Sequence, residues 1–312
     1  MSLRVTQADL ARGRTPAARP LNFTMKKILV QLDTDPQPSV FDRIVAIDAG
    51  ADEVFSYGGV VPDRVEGLVH GGMFTRGPKD LKNTALFIGG RDVEAGQRVL
   101  ERAQKAFFGP IRLSVMIDCN GSNTTAAAAV LAAGGHVDLA NCTTVVFGGT
   151  GPVGQRIGQL VAGLGGTVRL TSRAVDRAEE VCQTIRSRVE TGQLEAHETS
   201  SREGKTAALD GVQVIFAAGA AGAQFLSSRE RSGHSSLKVA VDLNAVPPAG
   251  LEGIDLQDRG TDRQGVVCYG ALGVGGLKMK IHKAAVAGLF EANDRLYDVN
   301  SIFELGRGIA GA

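Results

Sequence analysis

The sequence predicts an α/β chain: two α/β domains around a cleft, the second built on a doubly wound parallel sheet. Three observations lead there. Between residues 27 and 133, short β-branched apolar runs alternate with stretches at helical spacing, the pattern of a small parallel α/β unit. From about residue 140 a strand–turn–helix–strand pattern appears, its turn holding three spaced glycines. Three later apolar runs each stop at small residues or an Asn, as strands do where their carboxyl ends line a crevice.

Taken in order, residues 1–24 are polar, carry Arg4, Arg12, Arg14 and Arg19, and lack an apolar signal core. They are expected to form a disordered extension, with folding from Met25. Lys27 to Leu32 reads as a strand, and Asp33 to Pro36 as its turn. Ser39 is a candidate N-cap for a helix carrying Phe41, Ile44, Val45 and Ile47, which Gly50 stops. Glu53 to Phe55 is a second strand. Residues 57 to 80, rich in Gly, Pro and Asp, are expected to be loops with little regular structure. Thr84 to Ile88 is a strand turning at Gly89-Gly90, Asp92 to Phe107 an amphipathic helix, and Ile111 to Ile117 a strand. The Ala-rich run to Ala133 is helical by propensity. Residues 25–130 form the first domain on this reading and 131–282 the second. Two further helices, Lys283 to Phe290 and Val299 to Gly306, are expected to pack back on the first within 283–312.

The second domain opens with CTTVVFGGTGPVGQRIGQLVAGLGGTVRLTSR, residues 142 to 173. The run Thr143 to Phe147 stops at glycine. Gly149, Gly151 and Gly154 follow in the order G-x-G-x-x-G. Val153, Ile157, Leu160, Val161 and Leu164 then recur at helical spacing, and Thr167 to Leu170 closes the unit. In a Rossmann-type unit one glycine permits the tight turn, one lets backbone reach a pyrophosphate, and one lets helix pack on strand. The helix N-terminus offers free N–H groups to phosphate. Gly149, Thr150, Gly151, Pro152, Val153 and Gly154 are therefore candidate cofactor contacts.

The end of the second strand selects the nucleotide. NAD-preferring units place a carboxylate there, about 20 residues after the first glycine. This chain has Thr171-Ser172-Arg173, then Arg177, and no carboxylate before Asp176. A hydroxyl and a guanidinium suit a 2′-phosphate, so NADP is favoured and NAD stays open. An ordinary solvated arginine is the competing reading. The later strands, Val212 to Phe216, Val239 to Leu243 and Val266 to Tyr269, bring Ala218, Gly219, Asn244, Gly270 and Leu272 into the candidate cofactor set.

Composition narrows the function classes. The chain has 312 residues, 43% hydrophobic and 21% charged, with a formal net charge of +1, so no basic stripe for nucleic acid is expected. No Trp is present and no apolar run reaches the length of a membrane span. The four cysteines (Cys119, Cys142, Cys182, Cys268) are scattered, without C-x-x-C or a His partner at metal spacing. No metal site or disulfide framework is expected, and reduced thiols fit a cytoplasmic protein.

Several stretches carry more polar detail than a fold needs. They are DTDxxPSVFD (Asp33 to Asp42), FIGGxD (Phe87 to Asp92), FFGPxR (Phe107 to Arg112), DxNGSNTTAAA (Asp118 to Ala128), GTGPVGxR (Gly149 to Arg156) and GALGxGGLKxKxH (Gly270 to His282). In this order they resemble the NADP-dependent methylene-tetrahydromethanopterin dehydrogenases of methylotrophic bacteria, which also act to varying degrees on methylene-tetrahydrofolate. The resemblance runs from Met25 onward and departs at residues 1–24 and at Thr171-Ser172-Arg173. It implies two α/β domains with an open cleft, a small C1-pterin substrate between them, direct hydride transfer to nicotinamide C4, and a cytoplasmic homo-oligomer. Lys278 matches a lysine regarded as an active-site residue in the family, suited to holding a pterin carbonyl. Asp42 is the candidate acceptor for the amino-pyrimidinone edge, with Phe41 beside it. Asn120, Ser122 and Thr124 are candidates for bonds to pterin or nicotinamide, with helix capping at Ser122 or Asn123 as the alternative.

Two other functions compete. A bifunctional methylene-tetrahydrofolate dehydrogenase/cyclohydrolase would need a tyrosine near the lysine, yet Tyr57, Tyr269 and Tyr297 make no Tyr-x-x-x-Lys arrangement. A non-catalytic NADP-binding regulator would leave Lys278 and the Asp118 to Thr125 loop without purpose.

Overall fold

The structure is a computed structural model that describes residues 25–311; the extension expected over 1–24 lies outside them. β1 (Ile28–Asp33) is buried almost throughout, as a strand covered on both faces must be. α1 (Val40–Asp48) starts at Ser39, whose hydroxyl accepts from the Asp42 N–H. β2 (Glu53–Tyr57) follows. Then α2 (Pro62–Met73) occupies much of the stretch expected to be loop. Its glycines disguise it. Val65, Val69 and Met73 recur four apart and are fully buried, and Pro62 presets the first turn. A Cβ on Gly72 would stand 3.1 Å from Leu113 Cδ1, so the bare backbone lets this helix settle on its neighbours.

β3 (Thr84–Gly89), α3 (Val93–Lys105) and β4 (Ser114–Ile117) complete the first alternation. α3 is capped by the Asp92 carboxylate, which accepts from the Ala95 N–H. β4 is shorter than expected, because Phe108 and Ile111 close an isolated bridge ahead of it. α4 (Ser122–Gly134) is buried on nearly every side, which is why its Ala-rich sequence shows no polar face.

The second sheet is built from β5 (Thr143–Phe147), α5 (Pro152–Gly163), β6 (Thr167–Ser172), α6 (Val175–Arg186), β7 (Gln193–Glu198), α7 (Arg202–Leu209), β8 (Val214–Ala217), α8 (Ser228–Ser232), β9 (Val239–Asp242), β10 (Arg259–Arg263) and β11 (Val266–Tyr269). β7 reads QLEAHE, with no apolar run to announce it; as an edge strand it takes its register from β6. α9 (Ala271–Gly288) is one continuous helix that begins well ahead of the expected Lys283 and carries Lys278 midway along it. Inside this helix the missing Cβ of Gly273 leaves room for the Asp258 carbonyl. β12 (Leu296–Tyr297) and α10 (Val299–Ala310) end the fold.

Both sheets have the doubly wound order. The first reads β12-β4-β3-β1-β2 and is parallel throughout. The second reads β10-β11-β9-β8-β5-β6-β7 and is parallel except for the β10–β11 hairpin. Strand order reverses between β1 and β3 in one sheet and between β5 and β8 in the other. Those are the topological switch points, where ligands bind beyond carboxyl strand ends.

One core joins the sheets. Leu29, Phe87 and Met116 of the first, Val146 and Phe216 of the second, and Ala126 to Val130 of α4 belong to a single buried cluster. α9 and α10 pack on α4, and β12 pairs with β4. α4 spans residue 130 and α9 spans residue 282, so the expected domain boundaries fall inside helices rather than in linkers. Among the described residues no helix is long and apolar enough to cross a membrane.

Candidate active site

A crevice opens at each switch point. The second sheet's crevice, of about 740 Å3, is lined by the glycine turn after β5, the ends of β6 and β8, and Asn120. Gly148, in the left-handed region at φ 70°, turns the chain so that the Gly151 N–H donates to its carbonyl at 2.9 Å. A Cβ on Gly149 would stand 3.0 Å from the Thr171 nitrogen, and one on Gly154 would collide with the Gly148 carbonyl. These two glycines serve packing. Gly151 is different: a Cβ there would meet only carbonyl oxygens, at 3.3 Å and 3.7 Å, beside the crevice. α5 starts at Gly151 with no side-chain cap, so its first N–H groups are free for phosphate.

Thr150, Pro152, Val153, Ala218 and Gly219 line the same crevice, with Ser172, Arg173 and Arg177 at one end. Neither guanidinium has a carboxylate partner among the described residues, and no Asp or Glu lines the crevice. Glu198 sits opposite Ser172 on β7, but Ser200 and Ser201 occupy its carboxylate and hold its pKa down to about 2. Two free arginines and no available carboxylate favour a 2′-phosphate over a bare ribose hydroxyl.

The first sheet's crevice, of about 370 Å3, is lined by Asp33, Asp35, Ser39, Phe41, Asp42, Arg91, Asn120 and Lys278, among others. Here side chains predominate. Asp33 accepts from the Asp35 and Ser39 N–H groups at 2.9 Å and 3.0 Å, which folds the turn after β1 and aims α1. Burial raises the Asp33 pKa. Asp42 is pushed up to about 6, chiefly by burial, with Asp118 and Asp33 adding to the rise and Ser39 and Lys278 opposing it. Lys278 Nζ lies 4.4 Å from the centre of the Phe41 ring and 3.2 Å from His282 Nδ1. Burial lowers its pKa, while Asp118 and Asp42 pull it back.

Asn120 lines both crevices. It holds φ 55°, rare for a residue with a side chain, and its N–H donates to the Gly90 carbonyl at 2.8 Å. That bond ties the α4 approach to the end of β3. Strained backbone of this kind is stored where a side chain must be aimed.

The structure does not bring all the expected residues together. Ser122 is buried, and its hydroxyl donates to the Cys119 carbonyl at 2.7 Å. The Thr124 hydroxyl, also buried, donates to Asp118 at 2.6 Å. Both serve the start of α4 and line neither crevice. Asn244 is buried and engaged within its own loop, donating to the Pro248 carbonyl at 2.9 Å. Gly270 packs against the Asp255 carbonyl, and Leu272 is exposed in the first turn of α9. None of these three lines the nucleotide crevice.

Other residues at the site escaped the sequence reasoning. Asp118, wholly buried, accepts from the Asn123 and Thr124 N–H groups and so organises the floor. His282 stands one turn beyond Lys278, a Lys-x-x-x-His spacing that could have paired them. Arg156, buried on α5, donates to the Asn123 side chain at 3.2 Å and links the nucleotide helix to that floor. Among the described residues no cluster of His, Cys, Asp and Glu is arranged to hold a metal ion.

Residues 40–120 match the family profile described as methylene-tetrahydromethanopterin dehydrogenase, N-terminal. A Methylorubrum extorquens protein named bifunctional protein MdtA is 44% identical over 289 residues, covering 91% of this chain and 99% of its own. A second from that organism, named NAD(P)-dependent methylenetetrahydromethanopterin dehydrogenase, is 33% identical over 299 residues, covering 92% and 99% respectively. Among solved structures, quinate dehydrogenase from Corynebacterium glutamicum in complex with NAD aligns with a TM-score of 0.49 at 12% identity, over 90% of this chain and 98% of that one.

Proposed function

Because the chain belongs to the methylene-tetrahydromethanopterin dehydrogenase family, we propose that it oxidises the methylene bridge of a C1-tetrahydromethanopterin to the methenyl state, with NADP as acceptor. One observation carries this reading. A glycine-lined crevice with two free arginines and a pocket of carboxylates with Lys278 and the Asp35-paired Arg91 both open onto Asn120, so a nicotinamide and a flat heterocycle have adjoining seats.

Bound NADP would supply the hydride acceptor, taking the C–H electron pair so that the cation left is shared by the two flanking nitrogens and no proton needs to move. The protein's task is to align the partners and exclude water. Gly148, Gly151 and the start of α5 would take the pyrophosphate, and Arg173 with Arg177 would take the 2′-phosphate. Ionised Asp42 accepts two parallel N–H bonds from the amino-pyrimidinone edge. Phe41 lines the heterocycle's seat, Lys278 donates to a ring carbonyl, and the Asn120 amide serves the junction. An ammonium beside a forming cation opposes the reaction. Burial weakens Lys278's hold on its proton, and Asp118 and Asp42 offset the charge that remains.

We also assign the protein to a reducing cytoplasm, as its four cysteines are free and buried. A homo-oligomer belongs to the same reading: α1 exposes Val40, Ile44 and Ile47 along one stripe. The test is the formation of reduced nicotinamide from methylene-tetrahydromethanopterin and from methylene-tetrahydrofolate, each with NADP and NAD. The fastest rate is expected with the methanopterin and NADP. No reduction with either pterin overturns the proposal.

A further inference from the structure

His282 lies one helical turn beyond Lys278 on α9 and is completely buried. Its ring stacks on Phe87, centroids 5.8 Å apart and planes 7° apart, and tilts against Phe41 at 6.1 Å. Nδ1 lies 3.2 Å from Lys278 Nζ and 3.9 Å from an Asp118 carboxylate oxygen. Nε2 meets no partner among the described residues.

We propose that His282 is a positioning residue: a neutral imidazole whose Nδ1 accepts a hydrogen bond from the Lys278 ammonium, holding Nζ at the pocket floor with its other N–H bonds free for a ring carbonyl. The argument starts from the donor inventory. An ammonium has donors only, so the nitrogen facing it must be the acceptor, and the ring proton then sits on Nε2. A protonated ring would set two cationic donors against each other at 3.2 Å in a buried place. Burial pushes the His282 pKa down to about 4, Lys278 adds to the fall, and Asp118 opposes it.

The charged groups facing this pair come from three elements. Asp118 reaches it from the end of β4, Asp42 from α1, and each partner faces the other along α9; Asp33 on β1 acts at one remove, through Asp42. Without Nδ1, the flexible lysine would be drawn to either carboxylate and away from substrate. A carboxylate at position 282 would also hold the lysine, but would take its charge into an ion pair. A neutral acceptor fixes direction and leaves the charge in place. Stacking on Phe87 holds the plane of the ring, and of its two nitrogens Nδ1 is the one beside the lysine.

This inference rests on the substrate role given to Lys278, so its test has one arm that needs no substrate. Nitrogen-15 NMR of the histidine rings in the full chain should find His282 protonated on Nε2 alone from pH 8 to about 5, well below the usual histidine range. A proton on Nδ1, or titration near the ordinary value, overturns the proposal whatever the enzyme does. The second arm is kinetic. His282→Leu keeps apolar bulk and removes the acceptor; His282→Asn returns an acceptor to the same helix face. His282→Leu should lower kcat/KM for methylene-pterin about tenfold and move the basic limb of its pH profile down by about one unit, because the ammonium loses an acceptor. His282→Asn should recover most of both effects, with NADP affinity unchanged in each variant. A folded, NADP-binding His282→Leu with the wild-type pH profile overturns the proposal. If the wild type oxidises neither pterin, the functional reading falls, and the ring-nitrogen measurement still decides the hydrogen bond.

Discussion

The crevices at the two switch points occupy equivalent places in two parallel sheets and are made of different material. Beyond β5 and β8 the lining is mostly small residues, Gly, Ala, Ser and Thr, with two arginines that have no carboxylate partner among the described residues; beyond β1 and β3 it is Asp33, Asp35, Asp42, Ser39, the Asp35-paired Arg91 and a half-buried Lys278. The difference sorts ligands by charge and by edge. On the proposed function, an anionic dinucleotide would meet bare N–H groups and guanidinium, while a heterocycle rich in N–H donors would meet carboxylates. It also sorts the consequences of mutation: backbone recognition fails through added bulk, and side-chain recognition through removed groups.

The largest effect is expected where backbone does the binding. Gly151→Val should abolish NADP binding, a loss of at least about 100-fold, while the melting temperature stays near wild type, because the new side chain intrudes on the crevice more than on the core. Gly154→Val is the control: its Cβ would collide with the Gly148 carbonyl, so it should lower stability first. Cofactor titration and thermal melts on both variants separate the two; normal NADP affinity in folded Gly151→Val would break the comparison at its root. Next comes Arg173→Ala, which removes one charge-assisted phosphate contact. It should cost on the order of 1.5–3 kcal/mol against NADP and little against NAD. If the NADP KM barely moves, the arginine is only a solvated surface group.

On the side-chain crevice, Lys278→Ala should lower methylene-pterin turnover at least roughly tenfold, about 1.4 kcal/mol of barrier, with NADP affinity intact. Unchanged turnover would reduce Lys278 to structure. Methenyl-pterin should hydrolyse no faster with wild type than in buffer, since no tyrosine lies at a spacing that would support that step.

The same contrast explains how much could be read from sequence. The nucleotide side is local: turn, helix start and Ser172-Arg173 follow one another within a single unit, so spacing alone locates them. The other crevice draws on α1, the end of β1, the approach to α4 and the middle of α9, and no local spacing joins Asp42 to Lys278. Family resemblance supplied those two, and His282 and Asp118 were passed over. Elements were missed for a related reason. Glycine costs a helix about 1 kcal/mol per residue, so α2 reads as loop and α9 as a shorter helix that starts only at Lys283. Packing overrides that cost, because Gly72 and Gly273 are where other chain segments come closest. Ser122 and Thr124 erred in the other direction: polar residues at a strand end looked like ligands, and Asp118 and Cys119 had already claimed them.

The smallest expected effect concerns the proton on Asp42. With its pKa raised to about 6 from the usual 3.8, Asp42 is a carboxylate at pH 8 and mostly a neutral acid at pH 5. The neutral acid has one O–H donor where the amino-pyrimidinone edge needs an acceptor. KM for methylene-pterin should therefore rise several-fold as pH falls through about 6, while NADP affinity, which depends on the other crevice, holds steady. Stability should run the opposite way. A pKa raised on folding means that the native state binds this proton more tightly than the unfolded chain does. Asp42's contribution is thus full below about pH 4 and is lost as pH rises through about 6. His282, with its pKa lowered to about 4, contributes a slope of the other sign, falling away as pH drops below 6.5, so the informative quantity is the difference between wild type and Asp42→Asn. That variant should gain stability over wild type at pH 8 relative to pH 5, and its KM should be high at both. The ionised form that binds substrate best is then the form the fold tolerates least, a trade expected where a site holds a charge away from water. A wild-type KM that stays flat between pH 5 and 8 would remove Asp42 from the substrate's edge.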